Sequence, residues 1–124
     1  MSQSFYQYSF EKLKVWERSK ELVKMIYKAV KTIPDEEKFG MISQMKRASI
    51  SISSNLAEGS ARKTSKDQAY FTTISYGSLM ELLNLTIVAF ELEYISEKTY
   101  LDIRAQIQEI SAMLNSLRSA QLNP

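Results

Sequence analysis

The sequence predicts an all-α fold, an up-down-up-down antiparallel four-helix bundle, and three observations carry that expectation. Only 3 Gly and 2 Pro are spread over 124 residues, of which 44% are hydrophobic, and so few turn residues argue against an all-β fold. Apolar residues recur at spacings of three and four through four long segments, the period of a helix face. Caps and breakers at Pro34, Gly59, Thr64 with Ser65, and Ser96 separate those segments, and the short connections they leave favour antiparallel neighbours. A chain of this length fits a single domain, 1–124, around one core.

The first helix is expected over about 11–32, from Leu13, Trp16, Val23, Ile26, Tyr27 and Val30. The second is expected over about 36–58: Pro34 forbids simple continuation, and Asp35 and Glu36 suit the positive end of a helix dipole. Gly59 is read as its left-handed C-terminal stop. Inside this segment Ser49-Ile50-Ser51-Ile52-Ser53 alternates like a strand. The longer window decides for helix, because Ile42, Met45, Ser49, Ile52 and Leu56 follow steps of three and four. Beside that stripe runs a polar track, Gln44, Arg47, Ser51, Asn55 and Glu58.

The third helix is expected over about 66–94, with Thr64 or Ser65 as N-cap and Ser65 with Gln68 as a capping-box pattern. It carries nearly two apolar stripes where a monomer needs one. The second, Tyr76, Leu79, Leu83, Ile87 and Phe90, is read as an oligomer face covered by another subunit. Gly77 inside it is read as a point of close helix approach. The fourth helix, about 97–120, is capped by Ser96 and steps through Ile103, Ile107, Ile110, Leu114 and Leu117.

Composition narrows the chemistry. With no Cys and no His, thiolate catalysis, ordinary zinc sites and the usual neutral-pH base are excluded, so no enzyme, no metal and no cofactor are expected. The N-terminal run lacks the pattern of a secretion signal. Residues 68–90 hold one formal charge, Glu81, but Gln68, Thr72, Thr73, Ser75, Ser78, Asn84 and Thr86 interrupt them; a buried helix fits better than a membrane span. A cytoplasmic protein without membrane contact is expected.

Two kinds of site remain. The polar track, joined by Ser78 and Glu81 of the third helix, reads as a structural seam of mutually bonded groups, with Arg47 paired to Glu81 or Glu58. A ligand-binding row is the alternative. Arg62, Lys63 and Lys66 lie beside the start of the third helix, where free backbone N–H groups favour phosphate. Lys12, Lys14 and Arg18 add cations on the first helix, followed by Lys20, Lys24, Lys28 and Lys31; a solvated face is the plain alternative for all of them. Net charge is only +2, yet residues 1–66 hold 13 Lys/Arg against 7 Asp/Glu, and residues 67–124 hold 3 against 7. The halves are polarised, which hints at a basic surface. The aromatic run Phe5, Tyr6, Tyr8 and Phe10 is read as packing at a bundle end or a subunit boundary.

Leu13 and Trp16, Pro34, Glu37 through Gly40, Gln44, Arg47, Ser51, Asn55 through Gly59, Arg62, and Gly77-Ser78 with Glu81 form an ordered set over two thirds of the chain. In that set the chain resembles the bacterial four-helix-bundle proteins encoded within intervening sequences of large-subunit ribosomal RNA genes. That family also includes the accessory variability determinant of diversity-generating retroelements. The resemblance implies an all-α bundle, often a ring-like homopentamer, without known catalysis. For the retroelement members it implies RNA or DNA and a reverse transcriptase as partners of a basic surface; this chain departs from them in being almost neutral. The expected function is a non-enzymatic, self-assembling bundle acting as an RNA- or ribonucleoprotein-associated scaffold. The alternative is a protein–protein adaptor using the apolar face of the third helix, without nucleic-acid binding.

Overall fold

In the computed structural model, which describes residues 4–124, four helices pack as a bundle: α1 (Lys14–Ala29), α2 (Ser43–Ser60), α3 (Ser65–Glu91) and α4 (Glu97–Leu122). Residues 1–3 of the expected domain lie outside the described residues. Each helix packs against its sequence neighbours, and α1 closes on α4. Cross-helix pairs fix the directions. Ser51 meets Ser78 while Gly59 lies beside Phe71, and Phe90 stacks on Tyr100 while Thr72 bonds Gln121, so α2/α3 and α3/α4 run antiparallel.

The core is one cluster of aliphatic side chains drawn from all four helices. Leu22, Ile26, Met45, Ile52, Leu79, Leu82 and Ile110 are each fully buried in it. On α1 the buried stripe runs Val15, Ser19, Leu22, Ile26, Ala29, rotated from the expected one: Tyr27 is 38% exposed. Ser19 hides the stripe in the sequence, because its hydroxyl donates to the Val15 carbonyl at 2.7 Å and so sits in the core without an orphaned polar group. The SISIS segment is helical throughout, with Ser49 and Ile52 buried.

Three boundaries differ from expectation. The expected first helix begins as a 3-10 turn, Ser9–Lys12, breaks at the extended Leu13, and ends in a second turn, Val30–Thr32. The second does not start at Glu36. Asp35–Glu37 is a 3-10 turn and Lys38–Ile42 a π-helical one, kinked at Gly40, before α2 begins. Glu37 accepts from the Met41 amide across this kink at 3.4 Å, as a capping carboxylate does. The third helix stops at Glu91. Glu93 takes φ 62°, Tyr94 N–H donates to the Ala89 carbonyl and Glu93 N–H to that of Phe90, both at 2.9 Å. That is a Schellman closure built without glycine.

Neither glycine has the role expected of it. Gly59 lies inside α2 with no positive φ. A Cβ there would sit 2.7 Å from Phe71 Cβ, so Gly59 is where α2 and α3 touch closely. Around Gly77 there is nothing within 4 Å of an added Cβ. Thr64 is the N-cap of α3, accepting from the Asp67 backbone amide at 3.1 Å, and the expected Ser65–Gln68 box does not form: the Gln68 side-chain Nε2 donates to the Arg62 carbonyl instead.

The α1–α2 and α3–α4 connections meet at one end of the bundle. Thr32 Oγ1 lies 3.0 Å from the Ala29 carbonyl and 2.8 Å from that of Tyr94, to which it donates, and the Tyr94 hydroxyl donates to Glu37 Oε2 at 3.3 Å. The half-buried Tyr94 phenol is pushed above its ordinary pKa, first by desolvation and then by the Glu37 carboxylate.

Candidate nucleic-acid interface

The expected cations differ in what they touch. Arg18 pairs with Glu109 of α4, which draws it out of any phosphate-facing set. Arg62 lies over the Phe71 ring at 4.5 Å rather than folding back on Glu58, and Asp67 sits in the first turn of α3, so the Arg62–Lys66 loop presents an acid and a capped N-terminus where an anion would dock. Lys12, Lys14, Lys63 and Lys66 are exposed.

The concentrated positive surface lies elsewhere, where the C-terminal half of α1 faces the kinked start of α2. Lys24 and Lys28 lie one turn apart on α1, Lys31 follows in the 3-10 turn that ends it, and the return of the chain brings Lys38 and Lys46 to the same hollow. Together they line an open hollow of about 860 Å³ whose only acid is Asp35. Lys24 is paired with Glu21 at 3.2 Å; Lys28, Lys31, Lys38 and Lys46 form no salt bridge among the described residues. The hollow is continuous with a second, of about 570 Å³, through Tyr27, Lys38, Ile42 and Lys46, and there Phe39 and Arg47 join the wall. Lys46 Nζ lies 4.9 Å from the Tyr27 ring. Cations lining one hollow with little compensating acid make a local potential that attracts polyanions, whatever the net charge of the chain.

The polar track of α2 lies at the outer edge of the α2/α3 contact. Ser51 and Ser78 hydroxyls share a hydrogen bond at 2.8 Å, and Asn55 Nδ2 donates to the Ser51 carbonyl at 2.8 Å and to its hydroxyl at 3.0 Å. Gln44, Arg47, Glu58 and Glu81 are exposed, and neither expected ion pair of Arg47 forms among the described residues. Water solvates these long side chains at less cost than fixing them in a pair. The buried polar bond between the two helices is one the sequence did not single out: Ser75 Oγ donates to the Ile52 carbonyl at 2.9 Å.

The expected oligomer face is largely covered from within the chain. Leu79 is fully buried in the core. Phe90 stacks on Tyr100 at 4.3 Å, Ser111 of α4 reaches the Tyr76 hydroxyl at 3.5 Å, and Leu83 packs against the core. Ile87 is half-buried. The apolar residues of α3 left in solvent are Tyr70, Val88 and, just past its end, Leu92. Of the N-terminal aromatics, Phe10 packs edge-on to Trp16 at 5.1 Å, whereas Phe5, Tyr6 and Tyr8 are exposed.

A four-helix bundle with a lysine-rich concave face among its described residues is the class that the fold and surface define. The chain belongs to the 23S rRNA-intervening sequence protein family, whose family model matches residues 11–116. It is similar to a protein of unknown function from the S23 ribosomal protein family of Bacteroides thetaiotaomicron VPI-5482, known from a crystal structure. The two are 26% identical and superpose with a TM-score of 0.77 over 83% of this chain and 96% of that one. No curated protein matches the chain.

Proposed function

We propose that this protein is a non-enzymatic, self-assembling bundle of the cytoplasm that serves as an RNA- or ribonucleoprotein-associated scaffold. The observation that carries the reading is the lysine-lined hollow between α1 and the start of α2, with Lys28, Lys31, Lys38 and Lys46 free of carboxylate partners among the described residues. Phosphates spaced along a strand suit cations spaced along a groove, and the released counterions drive binding without reading sequence. The lack of His and Cys supports a binding role over chemistry. The resemblance to retroelement accessory proteins adds DNA and a reverse transcriptase to the proposed partners, and a homopentamer to the proposed assemblies.

The test is a titration of purified protein with RNA across a salt series, with native mass measured alongside. Binding weakens as salt rises, and each of Lys28→Gln, Lys31→Gln and Lys46→Gln lowers the slope of log K on log salt by roughly one. Salt-independent binding, or none at low ionic strength, overturns the reading. An adaptor role is favoured by the exposed Val88 and Leu92 at the end of α3 and Leu101 at the start of α4; a protein partner lost on Leu92→Asp with RNA binding intact would establish it.

A further inference from the structure

The lysine hollow has a feature that phosphate binding does not use. Phe39 is 91% exposed, more than any other large hydrophobic side chain among the described residues. It stands on the turn Lys38–Ile42 that leads into α2. The kink at Gly40 lies inside this turn, one residue past Phe39. Lys38 Nζ lies 5.6 Å from the ring and attends one of its faces. Ile42 and Lys46 continue the wall toward Tyr27.

We infer that Phe39 is a stacking platform for an unpaired base, so that the hollow takes single-stranded rather than duplex RNA; this rests on the RNA-associated reading above. The chemistry is of two kinds side by side: ammonium groups for phosphate oxygens, and an open π-face within reach of the same strand. A duplex offers its phosphates but keeps its base faces inside the stack. A single strand offers both, and base–aromatic stacking tolerates any sequence because every base has a π-face. Charge alone would not distinguish the two forms in favour of the single strand, since the duplex is the denser polyanion.

The experiment compares a mixed-sequence single-stranded RNA with the same strand annealed to its complement, by fluorescence anisotropy at one low salt concentration, on the full chain. Wild type prefers the single strand. Phe39→Ala, which removes an exposed side chain and nothing from the core, lowers single-strand affinity at least about fivefold, leaves duplex affinity and the salt slope unchanged, and Phe39→Trp restores the preference. Equal loss for both forms, or no loss for either, overturns the inference while leaving the RNA-associated reading standing if the lysine variants still act. A fall in native mass on Phe39→Ala overturns it in favour of a second copy of this chain covering the ring. Absence of salt-sensitive binding to either form removes both readings together.

Discussion

Replacing Gly59 and Gly77 one at a time by Ala separates packing from helix propensity, because the two glycines differ in one respect that the structure measures. Both lie inside helices, where Ala is favoured by up to about 1 kcal/mol. At Gly77 nothing lies within 4 Å of the new methyl group, so Gly77→Ala should gain roughly 0.5–1 kcal/mol. At Gly59 the methyl would sit 2.7 Å from Phe71 Cβ, about 1 Å inside the usual carbon–carbon separation of 3.5–4.0 Å. The obstructing atom is a Cβ, fixed to the α3 backbone, so relief requires moving one helix against the other. Overpacking of this kind costs about 1–3 kcal/mol. The offsetting propensity gain is small because Gly59 is next to the last residue of α2. The net expectation is a loss of roughly 1–2 kcal/mol. Thermal melts followed by far-ultraviolet circular dichroism resolve this readily, at about 4 °C per kcal/mol for a domain of this size. A Gly59→Ala protein as stable as Gly77→Ala would refute the close approach of α2 and α3 at Gly59.

Glu93 occupies the left-handed position that closes α3, where a side chain costs about 1 kcal/mol or more relative to glycine; Glu93→Gly should therefore raise the urea midpoint although it deletes a side chain and enlarges unfolded-state freedom. A lower midpoint would show that the carboxylate contributes more than the strain removes. The Tyr94 phenol has its pKa raised from 10.0 by desolvation and the Glu37 carboxylate, so the fold favours the neutral form. That contribution is complete below about pH 10, where the unfolded phenol titrates, and is lost as pH climbs through the folded-state value. The stability difference between wild type and Tyr94→Phe, measured by denaturant unfolding, should narrow as pH passes from neutral into that range, and a constant difference would exclude the Glu37 contact.

The sequence made most of the architecture legible wherever a long period was uninterrupted. Ile103, Ile107, Ile110 and Leu114 are buried as their spacing required, and the SISIS stretch resolved correctly because the window from Ile42 to Leu56 outweighed five alternating residues. What failed did so for local reasons. A Schellman turn on Glu93 carries no glycine to announce it, and Asp35 with Glu36 suit the start of a 3-10 turn as well as that of an α-helix. The pattern of one helix does not show how much of the apolar excess of α3 is covered by α4; the Phe90–Tyr100 stack is a contact of that kind. The candidate interface was half visible. Lys24, Lys28 and Lys31 follow a helical spacing, but Lys38 and Lys46 reach the same hollow only through the return of the chain, which no period records. Phe39 had no signal beyond being a lone aromatic among charges.

The bonds from Thr32 to Tyr94 and from Tyr94 to Glu37 join segments 62 and 57 residues apart. They clasp two hairpin bends together at the end of the molecule that bears Phe39. Fraying one bend strips a hydrogen-bond partner from the other, which couples local opening of the two. The RNA proposed for the lysine-rich groove beside this clasp would meet walls that are tied together, with less ordering left to be done on contact.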